Sequence, residues 1–266
     1  MILFDRLRKD FPTAKRQTLK RMVQDRRVLI NKIPATKLTQ PIQPKDRVEV
    51  AAPKKSPKPT LPFPIIYEDA DVLIIDKPAG LLTSTVPREP RPTALAAVTE
   101  YLRSTSPAAN VGLIHRLDRD ASGLLVFSKN AAAFASLKKQ FFHHTVTRIY
   151  QATVSPAPAK DSARIESRLI ERADGTVHST RDSTKGQHAV TDYKILNREK
   201  DSAQLMVTLQ TGRKHQIRVH LSESGTPIVG DTVYDGKPHK DGLQLKAVEL
   251  AFDHPRTGKR ISFSVK

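Results

Sequence analysis

Gly112-Leu113-Ile114-His115-Arg116-Leu117-Asp118-Arg119-Asp120-Ala121-Ser122-Gly123-Leu124-Leu125-Val126-Phe127-Ser128-Lys129 gathers two carboxylates and two arginines into a short turn and then runs into four consecutive apolar residues. The run Leu124 to Phe127 has the length and branching of a buried strand. A charged loop is therefore anchored to the core, which is how a scaffold holds a side chain still while that side chain faces solvent or substrate. Asp118 is the candidate for that side chain. On these residues alone, the plainer reading is a solvated loop in which Asp118 and Asp120 pair with Arg116 and Arg119.

The flanking sequence supplies the rest of a strand-rich domain. Upstream, Ile65 to Gly80 reads as two strands around an acidic turn, and Thr93 to Leu102 as a helix. Downstream, Asn130 caps a helix that spaces Phe134, Leu137 and Phe141 along one face. Arg148 to Val154 alternates as a strand, with Arg148, Tyr150 and Ala152 on one side and Ile149 and Gln151 on the other. Ala203 to Leu209 is a further strand, leading into Thr211-Gly212-Arg213-Lys214-His215-Gln216-Ile217-Arg218-Val219-His220-Leu221. A helix over Lys214 to Ser224 turns Ile217 and Leu221 to the core and sets Arg218 beside them. A phosphate-loop reading of Thr211 to Lys214 fails, because the earlier glycine and the hydroxyl after the lysine are missing. Leu243 to Phe252 and Ile261 to Val265 form a closing hairpin. Runs of strands without regular βαβ alternation argue against a doubly wound parallel fold.

Residues 1–50 read as a separate basic unit. Pro12-Thr13 precede a capped helix, Ala14 to Val23, with Leu19, Met22 and Val23 on one face and Lys15, Arg16, Lys20 and Arg21 largely elsewhere. Val28 to Ile30 and Arg47 to Val50 are short strands, the first ending in an Asn31-Lys32 turn. Residues 51–62, rich in proline and lysine, predict an extended linker, and residues 63–266 form the second domain.

The 266 residues carry 45 Lys and Arg against 27 Asp and Glu, a formal charge of +18, which points to a polyanion and most directly to nucleic acid. The basic residues are spread along the chain and do not lie on one amphipathic helix, so a membrane surface fits less well. There are no cysteines, which excludes disulfides and thiolate metal sites. His143, His144, His178 and His188 lack metal-ligand spacing, so no metal and no cofactor is expected. No secretory signal or membrane-spanning run is visible, and the expectation is a cytoplasmic monomer.

His115-Arg116-Leu117-Asp118 with Ser122-Gly123-Leu124-Leu125 resembles the signature of the RluA-type RNA pseudouridine synthases. Asp76-Lys77-Pro78-Ala79-Gly80-Leu81 is similar to that family's first motif. The Thr211 to Leu221 stretch, with Pro227, Gly230-Asp231 and Tyr234, is similar to its third. Residues 1–50 resemble the RNA-binding domain named after the fourth small-subunit ribosomal protein. The resemblance implies an α+β protein: a small N-terminal RNA-binding domain, then a mixed, mainly antiparallel sheet with flanking helices around a central cleft. It implies isomerisation of uridine to pseudouridine in structured RNA, most directly ribosomal RNA. Asp118 is then the nucleophile, Tyr150 stacks on the target uracil, and Arg218 is the basic partner of the aspartate. Substrate contacts fall on Arg116, which fills the gap left by the extruded base, on His115 and Arg213, and on Leu245, which closes the site. The head would bind RNA through Lys15, Arg16, Lys20 and Arg21. Ser84, Ala121, Lys214 and Lys246 depart from the family pattern.

The chemistry needs a carboxylate in a dry pocket, able to attack the anomeric carbon or to stabilise a cationic sugar. Desolvation alone would neutralise a buried Asp118, so the expectation is a bidentate pair with Arg218 that keeps it charged. The alternative is a non-catalytic RNA-binding or ribosome-assembly protein that keeps the fold, motivated by the excess charge and the four departures. A nucleotide hydrolase using Asp118 and Asp120 would need a second positioned carboxylate, and Asp120 has no supporting motif.

Overall fold

The computed structural model describes residues 1–52, 60–85, 90–106 and 109–266. The chain divides into two compact units, Met1–Pro57 and Lys58–Lys266. Of the expected linker, residues 53–59 lie outside the described residues.

The first unit contains α1 (Leu3–Asp10), α2 (Arg16–Gln24), β1 (Val28–Ile30), β2 (Ile33–Pro34) and β3 (Val48–Val50). Leu3, Leu7, Leu19, Val23, Val28 and Ile30 meet in its core. Two expectations are corrected here. Helix α2 starts at Arg16, with Lys15 as an N-cap residue that offers no side-chain cap, so Pro12-Thr13 do not cap it. The Asn31-Lys32 turn leads straight into β2, a strand too short for its pattern to stand out in the sequence; β1 pairs with both β2 and β3. Asn31 and Lys32 both have positive φ, 52° and 69°, as a two-residue hairpin turn requires. The Asn31 amide fixes that turn by donating to Asp46 (2.9 Å) and accepting from the Arg47 N–H (2.9 Å). Lys15, Arg16, Lys20 and Arg21 are all exposed.

The second unit is built in the order β4 (Ile65–Glu68), β5 (Val72–Lys77), α3 (Ala94–Thr105), β6 (Gly112–Leu113), β7 (Ser122–Ser128), α4 (Ala131–Phe142), β8 (Thr147–Val154), β9 (Ser162–Glu171), β10 (Val177–Thr180), β11 (Gln187–Arg198), β12 (Ala203–Leu209), α5 (Gln216–Glu223), β13 (Leu245–Asp253) and β14 (Arg260–Ser264). The strands form one sheet in the order β10-β9-β11-β12-β8-β13-β7-β5-β4, with β14 on β13 and β6 on β7. Among the described residues, its strands pair antiparallel except for β7 with β13.

Strands β5 and β7 are buried on both faces, which is why their sequences are apolar without alternation. Val72, Ile74, Leu124 and Val126 pack on one face with Leu137 of α4 and Phe252. Leu73, Ile75, Leu125 and Phe127 pack on the other with Val98 and Leu102 of α3. Each such side chain contributes roughly 1.5 to 3 kcal/mol by burial, so the loop before β7 stands on a stiff base. Both helices are capped: Asn130, the expected cap, accepts from Ala133 N, and Thr93, read as the first residue of its helix, caps it by accepting from Ala96 N. Phe134, expected on the buried face of α4, is instead 38% exposed. Gly123 has φ +109°, and a Cβ there would lie 2.2 Å from the Ala247 carbonyl oxygen. Only glycine lets β13 join β7 at this point.

A polar staple joins the β4–β5 turn to the β13–β14 turn. Asp71 takes two hydrogen bonds from Arg256 (2.7 and 2.8 Å) and one from Asn130, while Asp69 pairs with His254 (2.7 Å). The Arg256 hydrogen bond holds the Asp71 carboxyl down at about 2, against burial. Asp69, Asp71 and His254 are close enough together to bracket a cation, but each is already engaged by protein. Among the described residues, no helix is long and apolar enough to cross a membrane.

Candidate active site

Two clamps hold the loop between Ile114 and β7. Lys77 at the end of β5 is 0% exposed, and its ammonium donates to the carbonyls of Pro78 (2.9 Å), Leu81 (2.8 Å) and Arg119 (2.9 Å). Burial lowers its pKa to about 8, with Asp120 and Asp118 pulling the other way. The Thr83 hydroxyl donates to the Leu117 carbonyl (2.7 Å) and accepts the Leu117 N–H (3.2 Å). The residues on both sides of Asp118 are thus fixed through their backbone. His115 braces the loop from below: its ring stacks on Phe141 at 4.8 Å and its Nε2 accepts the Val126 N–H (3.3 Å). Burial, with Arg148 and Lys138 nearby, pushes this imidazole down to about 3, so it is a neutral acceptor.

Asp118 faces Arg218 of α5, but the expected bidentate pair between them does not form. Arg218 gives Nε and Nη2 to the two oxygens of Asp231, at 2.7 Å each, and reaches Asp118 Oδ2 only through Nη1, at 3.3 Å. The guanidinium fork is claimed by the residue thirteen positions along, which is almost wholly buried. Burial works against the charge of Arg218, yet the hydrogen bonds and charge of Asp231, with Asp118 adding, raise its pKa. Asp118 is also less enclosed than expected, with 24% of its side chain exposed. It presents one oxygen to a locked cation and keeps an open approach.

The second neighbour of Asp118 is His215, Nε2 to Oδ1 4.0 Å. Helix α5 begins at Gln216, two residues later than the sequence suggests, because His215 sits in the left-handed region at φ 54°. Tyr234 holds its ring: the hydroxyl accepts the Val177 N–H (2.9 Å) and is hydrogen-bonded to His215 Nδ1 (2.7 Å), which leaves Nε2 facing the carboxylate. Burial lowers the His215 pKa against the pull of Asp118.

These groups line a pocket of about 970 Å³ whose walls include Arg116, Tyr150, Arg213 and Leu245. Every site residue singled out in the second domain is therefore brought to one place. Tyr150 is buried, and desolvation pushes its phenol up to about 12, so it stays neutral. Arg116 is exposed at the mouth. Arg213 is tied to the His188 carbonyl (3.0 Å). Lys214 pairs with Glu171 (2.6 Å), and Lys246 lies 3.5 Å from Asp76. Asp120 is occupied by Arg119, with two hydrogen bonds of 2.8 Å.

Asp231, His215, Tyr234 and Phe142 are site residues to which the sequence alone assigns no role. Asp231 and Tyr234 stand in a quoted motif, and their spacing to Arg218 carries no signal of contact. Phe142, 77% exposed on the pocket rim, is the last residue of α4.

Residues 71–223 match the profile of the RNA pseudouridylate synthase family. An uncharacterized RNA pseudouridine synthase of Bacillus subtilis, YlyB, is 36% identical over 93% of this chain and 84% of its own length. Ribosomal large subunit pseudouridine synthase D of Escherichia coli K12 is 32% identical over 93% of this chain and 81% of its own. Among solved structures, human RNA pseudouridylate synthase domain containing 4 superposes with a TM-score of 0.65 at 23% identity, over 76% of this chain and 87% of that one, a likeness of fold.

Proposed function

The chain belongs to the RNA pseudouridylate synthase family, of the RluA type, and isomerises uridine in RNA; from that premise we propose that Asp118 is its nucleophile and ribosomal RNA its substrate. The observation that carries the assignment is the placement of Asp118, backbone-clamped on both sides and set 3.3 Å from an arginine whose fork is locked on Asp231. A carboxylate so held stands beside a fixed cation while one edge stays free to approach the sugar.

In the proposed cycle the target uridine leaves its stack, at a cost of a few kcal/mol. The Arg116 guanidinium at the mouth fills the gap, and the uracil lies against Tyr150, a stacking contact worth roughly 1 to 3 kcal/mol. Asp118 attacks C1′ or shields the cationic sugar as the C1′–N1 bond breaks. The freed base turns within the pocket, a ring carbon bonds to C1′ as any Asp118–C1′ bond breaks and the carboxylate is released, and that carbon loses its proton while N1 gains one. Leu245 helps close the pocket, and Arg213 contacts the RNA at its edge.

The ribosomal substrate is supported by the relatives named ribosomal large subunit pseudouridine synthase D. We assign the first unit to RNA binding of the ribosomal-protein type through Lys15, Arg16, Lys20 and Arg21, all exposed, and take the protein to act as a cytoplasmic monomer. Mapping pseudouridines in ribosomal and transfer RNA from cells with and without the gene tests the substrate; a ribosomal position that loses its pseudouridine is expected. Loss confined to transfer RNA would reject the ribosomal reading. Replacing the four basic residues with glutamine should flatten the salt dependence of RNA binding, by roughly 0.7 to 0.9 in slope for each phosphate no longer neutralised. An unchanged slope would take RNA binding away from that face.

A further inference from the structure

Arg148 is a buried charged group of the pocket to which, among the described residues, the fold gives no counter-ion. It lies on β8 two residues before Tyr150, so both side chains share one face of the strand. It is only 8% exposed, yet its Nε has no hydrogen-bond partner, and among the described residues its guanidinium makes no ion pair. Leaving a buried charge without a counter-ion is costly.

The surroundings hold it in that position. The Phe141 ring lies 5.6 Å beneath the guanidinium. Gly212 packs directly against it: a Cβ there would come within 2.4 Å of Nη1, so glycine is what admits the guanidinium. Lys138, His144 and Arg213 line the same pocket, and Lys214 is already neutralised by Glu171. Burial chiefly, and Arg148 after it, lower the pKa values of both His115 and His144.

We propose that Arg148 is a phosphate-binding residue, whose guanidinium takes the oxygens of a phosphodiester adjoining the extruded uridine. The inference rests on the RNA reading above. Uracil is neutral and the ribose carries no charge, so the phosphodiester is the substrate group that answers a buried cation in a cationic corner. The planar fork also matches two phosphate oxygens at once. Arg218 cannot serve here, since Asp231 holds its fork.

The test uses the full chain and a stem-loop around a uridine found by the mapping experiment. The stem-loop is made with native linkages, with one neutral methylphosphonate on the 5′ side of that uridine, or with one on the 3′ side. On native RNA, Arg148→Met should weaken binding about tenfold or more, the scale of one charge-assisted hydrogen bond. Arg148→Lys should fall between, and Gly212→Ala, which displaces the guanidinium, should approach the Met variant. On one of the two neutral linkages the wild type should drop to the affinity of Arg148→Met, and Arg148→Met should lose nothing more. Equal losses for Arg148→Met on all three RNAs, or wild-type binding by Arg148→Met, would overturn the proposal. Conversion is measured separately from binding. A wild-type protein that holds the stem-loop without converting it would break the functional reading, while the Arg148 comparison would still be decided by affinity.

Discussion

Two arginines in one pocket are treated in opposite ways. Arg218 enters from α5 with its fork locked on Asp231 and one nitrogen left for Asp118. Arg148 enters from β8, equally buried, between an aromatic ring and Gly212, and among the described residues it has no ion-pair partner. The first arginine is paired before substrate arrives, so its geometry is fixed, and in the proposed cycle it holds the reacting group in place. The second is incomplete until an anion occupies it. Preorganisation and recognition are separated within one cavity by which arginine has been given a protein counter-ion.

The same substitution should therefore have opposite effects on stability in the two corners. Arg218→Met leaves Asp231 buried and unpaired, and breaking such a pair costs about 3 to 5 kcal/mol. Urea unfolding should show that loss, together with loss of activity. Arg148→Met removes an unanswered charge and should be neutral or stabilise the protein by about 1 kcal/mol. Losses of equal size in the two variants would erase the contrast.

The Asp71–Arg256 pair, far along the chain from the pocket residues, sharpens the comparison as an arginine that serves structure alone. Its carboxyl ordinarily titrates at 3.8 and is held at about 2 in the fold. The folded state thus prefers the charged form, so the contribution is complete above 3.8 and is lost as pH falls toward 2. The stability difference between wild type and Asp71→Asn should shrink across that interval, with activity at neutral pH unaffected. A difference that is constant down to pH 2 would show that the charge of Asp71 does not contribute.

Much of this architecture is legible in the residues themselves. The apolar run of β7, the alternation of β8 and the cap at Asn130 are local signals, and each element forms where its pattern places it. Alternation also puts Arg148 and Tyr150 on one face. It does not show that Arg148 lacks a counter-ion, because that depends on what α4 and the Gly212 loop bring alongside. The competition for Arg218 is hidden for the same reason: Asp118 lies a hundred residues away and Asp231 thirteen, and nothing in the spacing says which takes the fork. The lysine cage is similar, since Lys77 finds its carbonyls on two separate loops. His215 adopts positive φ just before α5 and bonds to Tyr234, and neither leaves a mark in the local pattern.

The central claim is that Asp118 carries the chemistry of a site otherwise built to hold it. It is tested most directly by single-turnover conversion with purified Asp118→Asn and wild-type protein on the same RNA, with binding and unfolding measured alongside. The amide keeps the shape and leaves the Asp231–Arg218 pair intact, so fold and RNA affinity should match the wild type while no pseudouridine forms. Substantial pseudouridine from the folded Asp118→Asn protein would contradict the account.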